Sequence, residues 1–124
     1  IVKTAIDENV KFKMINLMLM DYGGSFPAET QGELKMAAYS IQALQSVNAQ
    51  LKILLAGKTG YPDKVGENYY NILGATPMIG RNDVLVEYFY KDDIEKLTQF
   101  CNEVGVKMTS MWSINRDKAI VVEG

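Results

Sequence analysis

The 124-residue chain has no histidine. That removes the commonest general base, histidine-based metal sites and histidine-containing catalytic triads. A single cysteine, Cys101, excludes an internal disulfide and leaves the redox compartment open. Basic and acidic residues nearly balance, 13 against 15, for a net charge of −2. No Lys/Arg cluster runs along any segment, so no nucleic-acid footprint is expected. No uncharged apolar run is long enough to span a bilayer. No signal peptide is read, and residue 1 is Ile rather than Met. A processed product, an excised piece and the ordered part of something longer all stay open. Neither GxxxxGK nor GxGxxG occurs, so the glycines make no phosphate loop.

Hydrophobic residues make up 48% of the chain, enough for one core and too little for two ordinary domains. The organising stretch is Phe12 to Gly23, a long apolar run stopped by Asp21, Tyr22, Gly23 and Gly24. It fits a strand buried on both faces, as in a parallel sheet with helices outside. Ile15, Leu17 and Leu19 share one aliphatic face. Met14, Asn16, Met18, Met20 and Tyr22 are expected on the other, since strand side chains alternate. Ligands in α/β folds are handled at the C-terminal ends of parallel strands. Met20, Asp21 and Tyr22 are therefore site candidates; the plainer reading is a hydrophobic strand followed by a polar turn.

Before this strand, Val2, Ala5 and Ile6 have helical spacing. After it, Thr30 and Glu33 have the spacing of a capping box. A long helix is expected over Glu33 to Leu55, with Leu34, Ala37, Ala38, Ile41, Leu44, Asn48, Leu51 and Leu55 in one stripe. Ala56-Gly57 ends it. Lys58 to Asn68 reads as a surface loop. A second strand is expected over Tyr70 to Thr76, ending at Pro77, followed by the tip Met78 to Asp83. Val84 to Tyr90 is extended or irregular. Asp92 is expected to N-cap a helix bearing Ile94, Leu97, Phe100, Cys101 and Val104 on its apolar face, stopped at Gly105. Cys101 there reads as core packing. Val106 to Ile114 is the third strand, with Met108, Ser110 and Trp112 on one face. Trp112 is either a core aromatic or a site residue.

The order strand, helix, strand, helix, strand predicts an α/β fold with parallel strands. All three strands end in polar or glycine clusters on one edge: Asp21-Tyr22-Gly23, Gly80-Arg81-Asn82-Asp83 and Asn115-Arg116-Asp117. A shared site along that edge follows.

Three stretches together, INLMLMDYG (15–23), GATPMIGRNDV (74–84) and MTSMWSINRD (108–117), resemble the last three strands of a family 18 glycoside hydrolase, a bacterial-type chitinase. The resemblance implies strands six, seven and eight of a (β/α)8 TIM barrel, so the chain is similar to the C-terminal half of such a barrel. The family's Asp-x-x-Asp-x-Asp-x-Glu run, which supplies the general acid, is absent. In this family the substrate's own N-acetyl group attacks the anomeric carbon, and no carboxylate nucleophile is used. By resemblance, Tyr22 bonds the acetamido group and Asp21 bonds the sugar or neighbouring carboxyls. Met20 lines the same pocket, and Trp112 floors it under the scissile sugar. Met78, Asn82 and Asp83 match the strand-seven loop. Chitin or an N-acetylglucosamine oligosaccharide is the implied partner, with no metal or organic cofactor and a secreted or extracellular location.

Two rival readings stand beside this one. One is a non-catalytic sugar-binding or structural half-barrel. The other is a small α/β domain with an unrelated ligand at its strand tips. A half-barrel would expose Met14, Met18, Met20, Met108 and Trp112, and would dock on a missing N-terminal half or on a copy of itself.

Overall fold

Alternating apolar periods of two and of about 3.6 residues fold into a layered α/β unit. The structure, a computed structural model, describes residues 1–23, 35–85 and 87–118. In chain order it contains α1 (Val2–Asp7), β1 (Ile15–Leu19), α2 (Lys35–Leu54), β2 (Leu73–Pro77), β3 (Gly80–Arg81), β4 (Tyr88–Phe89), α3 (Lys91–Val104) and β5 (Met108–Thr109). Strands β1, β2 and β5 form one parallel sheet in that order, as the alternation of elements predicts. No closed barrel is present among the described residues.

Ile15 pairs with Leu73 and Leu19 with Pro77. This register puts Leu17, Leu19, Leu73 and Ala75 on the face that packs against the core. That face meets α2, whose Met36, Leu44 and Leu51 are fully buried. Burying each such side chain contributes roughly 1.5–3 kcal/mol. The helix stripe is nearly the expected one, but Ala38 is exposed while Met36 and Ser40 are buried. The capping pair Thr30 and Glu33, and Leu34, lie outside the described residues. Cys101 is 2% exposed in the core, and burial pushes its thiol up to about 11.

Three local expectations are corrected. Tyr70–Ile72 forms a 3₁₀ turn, so β2 begins only at Leu73 and includes Pro77. Regular pairing in β5 covers just Met108–Thr109, although amides of Lys107, Ser110 and Trp112 continue the ladder onto carbonyls of Leu73, Ala75 and Pro77. The 84–90 stretch is extended in part, one of the two forms expected of it: Tyr88–Phe89 pairs antiparallel with Gly80–Arg81. Finally, Asp92 does not cap α3. Tyr90 takes that position, and Asp93 reaches back to its amide at 2.9 Å. The second oxygen of Asp93 accepts the Ala37 amide at 3.0 Å, so one buried carboxylate joins α3 to α2. Two unpaired amides make Asp93 the better acceptor, because buried N–H groups without partners are costly.

Candidate functional site

The sheet's other face is open. Asn16, Met18 and Ser110 on it are exposed, Met18 at 73%. Thr76 at its centre donates to Asn16 Oδ1 at 2.8 Å and lies 2.6 Å from the Ser110 hydroxyl. Thr76 has one hydroxyl proton, so Ser110 donates to it. The path needs Gly74: a Cβ there would lie 2.7 Å from Asn16 Oδ1.

At the C-terminal edge the three strand ends converge. Met78 bridges to Trp112, and the Ile79 amide donates to the Trp112 carbonyl at 3.0 Å. The peptide bond after Trp112 is cis. Arg116, in the 3₁₀ turn Ile114–Arg116, donates from Nε to the Ile79 carbonyl at 3.2 Å and from its terminal nitrogen to the Arg81 carbonyl. Trp112 is 55% exposed and Met20 half-buried, while Met78 is buried at 3%. So of the apolar site candidates, Trp112 presents the largest open surface.

The polar candidates divide differently. Asp21 sits at φ +50, in the left-handed region. Its amide donates to Asn82 Oδ1 at 3.2 Å, and its Oδ1 accepts the Val84 amide at 2.9 Å. Asn82, 2% exposed, donates onward to the carbonyls of Met78 and Gly80. Asp83 is exposed. The residues 21 and 82 are thus brought together, as structural partners across the strand tips.

The left-handed Asp21 breaks strand alternation, which corrects the expected face of Tyr22. Its side chain turns to the helix side, where the ring meets Tyr39 edge-on and the hydroxyl lies 3.2 Å from Ser40 Oγ. Ser40 gives its proton to the Met36 carbonyl, so the phenol is the donor in that pair. Burial pushes the phenol up to about 12; the Ser40 bond opposes the rise and the Glu87 carboxylate adds to it. Below pH 10.0, its ordinary value, native and unfolded states both keep the proton. Between there and about 12 only the native state keeps it, so stability falls as pH rises through that window. The loss should approach about 2 kcal/mol, trimmed by partial exposure. Urea unfolding at pH 9 and 11 checks it: Tyr22→Phe should lose less stability over that interval than the parent.

Sequence reasoning missed Glu87. It is 3% exposed, and its Oε1 accepts the Tyr22 amide at 2.9 Å. Its backbone carbonyl takes the Asn82 amide at 2.8 Å. Its Oε2 has no hydrogen-bond partner among the described residues. A lone acid in an apolar-aromatic run, VLVEYFY, was the available signal. Asn48 was missed in the same way. It looked like one more stripe position, but its side chain accepts the Tyr69 amide at 2.7 Å and donates to Asn68, fixing the entry to β2.

The structure therefore defines an α/β chain whose parallel strands deliver an exposed tryptophan to one rim. Comparison with curated proteins gives that class a relation. The chain is 32% identical over 112 residues to a probable bifunctional chitinase/lysozyme of Escherichia coli (strain K12), and likewise to endochitinase 11 of Metarhizium anisopliae. Each match covers 89% of this chain. The chain spans 12% of the first relative's length and 20% of the second's. No family model matches, and no solved structure matches. The chain is thus similar to two proteins named as chitinases, in keeping with the resemblance of its three strand-tip motifs. No described helix is long and apolar enough to cross a membrane.

Proposed function

We propose that this chain is the C-terminal part of a family 18 glycoside hydrolase barrel, its sheet being strands six to eight. In this reading it supplies the substrate-holding side of a site that cleaves β-1,4-linked N-acetylglucosamine polymers with retention, assisted by the substrate's acetamide. The observation that carries the reading is Trp112, more than half exposed at the C-terminal rim of an open sheet face. The solvent-facing indole offers a flat apolar surface to the C–H face of a pyranose. By the family resemblance, half-buried Met20 lines the floor beside it, and buried Met78 pairs with Trp112 across the strand ends. Asp21 and Asn82 hold the rim, and Asp83 is open to solvent for hydroxyl contacts. Tyr22, turned toward Ser40, positions the tip through its buried ring. The acid that protonates the leaving oxygen comes from outside the 124 residues, which carry no Asp-x-x-Asp-x-Asp-x-Glu run.

Trp112 is the only tryptophan, so its emission reports on this rim alone. Titration with chitobiose, at chain concentrations where sedimentation shows the monomer, should shift that emission. By calorimetry, Trp112→Ala should weaken binding at least about tenfold, or ~1.4 kcal/mol. A chromogenic chitobioside should be turned over no faster than background, since a general acid contributes roughly 10²–10⁴-fold. Chitobiose binding unaffected by Trp112→Ala would overturn the proposed site. Turnover by the purified chain would overturn the assignment of the acid to a missing part.

A further inference from the structure

The end of the sheet away from Trp112 carries a cavity of about 320 Å³, where α2 stops and the chain runs on toward β2. Lys52, Lys58, Tyr61, Asp63, Lys64 and Tyr69 are among the residues that line it. Lys52 stands in the last turn of α2. Gly57, at φ +70, follows the helix, and the Lys58 amide closes the turn on the Leu55 carbonyl at 3.0 Å. A fourth cation stands beside these three lysines. Lys11 Nζ lies 4.4 Å from the centre of the Tyr61 ring and donates to the Thr59 carbonyl at 2.9 Å.

The local charge is opposite to that of the whole chain. Acidic residues outnumber basic ones 15 to 13 overall, yet four lysines meet here against Asp63 and Glu67. The negative end of α2 attracts cations, which accounts for Lys52 and Lys58. It does not account for Lys11, which precedes β1, or for Lys64, six residues farther along the loop. Lys64 is 3.3 Å from Glu67, but both side chains are largely exposed, and such a pair contributes little and exchanges readily. Lys52 and Lys58 form no ion pair among the described residues. Ammonium groups around one cavity suit the oxygens of a phosphate or sulfate. Two features ask for more than a bare anion. The volume reaches the lower end of the roughly 300–1,000 Å³ typical of small-molecule sites. Asp63 opposes a second negative group but accepts hydroxyls well.

We infer that this cavity binds the phosphate or sulfate ester of a sugar or small polyol, with the oxyanion on Lys52, Lys58 and Lys64 and a hydroxyl on Asp63. The site lies at the opposite end of the sheet from Trp112 and stands independently of the function proposed there.

The test titrates glucose 6-phosphate and glucose 6-sulfate into the 124-residue chain by calorimetry at fixed ionic strength, since salt screens such contacts. Glucose and inorganic phosphate are the comparisons. One ester or both should bind with Kd on the order of 1 mM, the tighter one naming the preferred group. Inorganic phosphate should bind at least about threefold more weakly, and glucose not detectably. Lys52→Ala/Lys58→Ala should weaken ester binding at least about tenfold, whereas Lys52→Arg/Lys58→Arg, which keeps the charges, should stay within about threefold of the parent. Lys91→Ala/Lys96→Ala, at exposed positions on α3, should leave it unchanged. Far-ultraviolet dichroism matching the parent's shows that the variants are folded; if the double alanine variant is not, Lys58→Ala alone should still weaken binding at least about threefold. Failure of both esters to bind overturns the site, as does binding that survives loss of the two lysines. Inorganic phosphate binding as tightly as the esters overturns the assignment to an ester.

Discussion

Asp93→Ala should lower the unfolding free energy by about 3–5 kcal/mol, the larger part of a small domain's stability. The carboxylate is 1% exposed and accepts two amides, from Tyr90 and from Ala37. Alanine leaves both donors buried without partners, at roughly 1–3 kcal/mol each. It also removes an acidic group from the first turn of α3, where the helix dipole favours it. Asp93→Asn keeps one acceptor oxygen and should cost about half as much. Urea midpoints at constant slope give both values. Because α2 and α3 are linked through this side chain, the loss should appear in both helices. A cost under about 1 kcal/mol for Asp93→Ala would show that water replaces the carboxylate and that the joint is not structural.

Sedimentation at micromolar concentration should show the isolated chain associated, as a dimer or larger species. The face opposite the helices leaves Met18 at 73%, Trp112 at 55% and Met108 at 36% exposed. Met14 and Met20 are half-buried, so three rather than five of the expected side chains are open. Covering each would contribute up to roughly 1.5–3 kcal/mol. Strands β1 and β5 also end the sheet on both sides among the described residues, and unpaired edges invite pairing. A partner chain carrying the rest of a barrel should suppress self-association by taking the same surface. A compact, well-folded monomer would count against the half-barrel and favour an independent α/β domain.

The fold's skeleton was readable because two periods are hard to confuse over long segments. Ile15 to Leu19 alternates, and Leu44, Asn48, Leu51 and Leu55 step by threes and fours. The parallel pairing followed from strand and helix order alone. Single-residue backbone choices were harder. Asp21 at positive φ reversed the side of Tyr22, and nothing in a period-two pattern announces such a reversal. Asp is among the residues that tolerate this conformation, but it adopts it only where long-range bonds hold it, here to Asn82 and Val84. Glu87 and Asn82 were obscure for the same reason. Their partners at residues 21 and 22 lie more than sixty positions away, and only the folded sheet brings them together.

The hydrogen-bond path across the open face has a direction. Ser110 gives its proton to Thr76, and Thr76 gives its own to Asn16 Oδ1. The path therefore finishes at β1 with the amide nitrogen of Asn16 still offering protons, and begins at β5 with a serine oxygen still able to accept them. A flat-looking sheet surface is in this respect a polarised strip, donor at one border and acceptor at the other. Whatever covers the face must present acceptors over β1 and donors over β5. A copy of this chain meets that demand only when turned so that its own β5 lies over β1, which selects one two-fold arrangement from all the ways two such faces could meet.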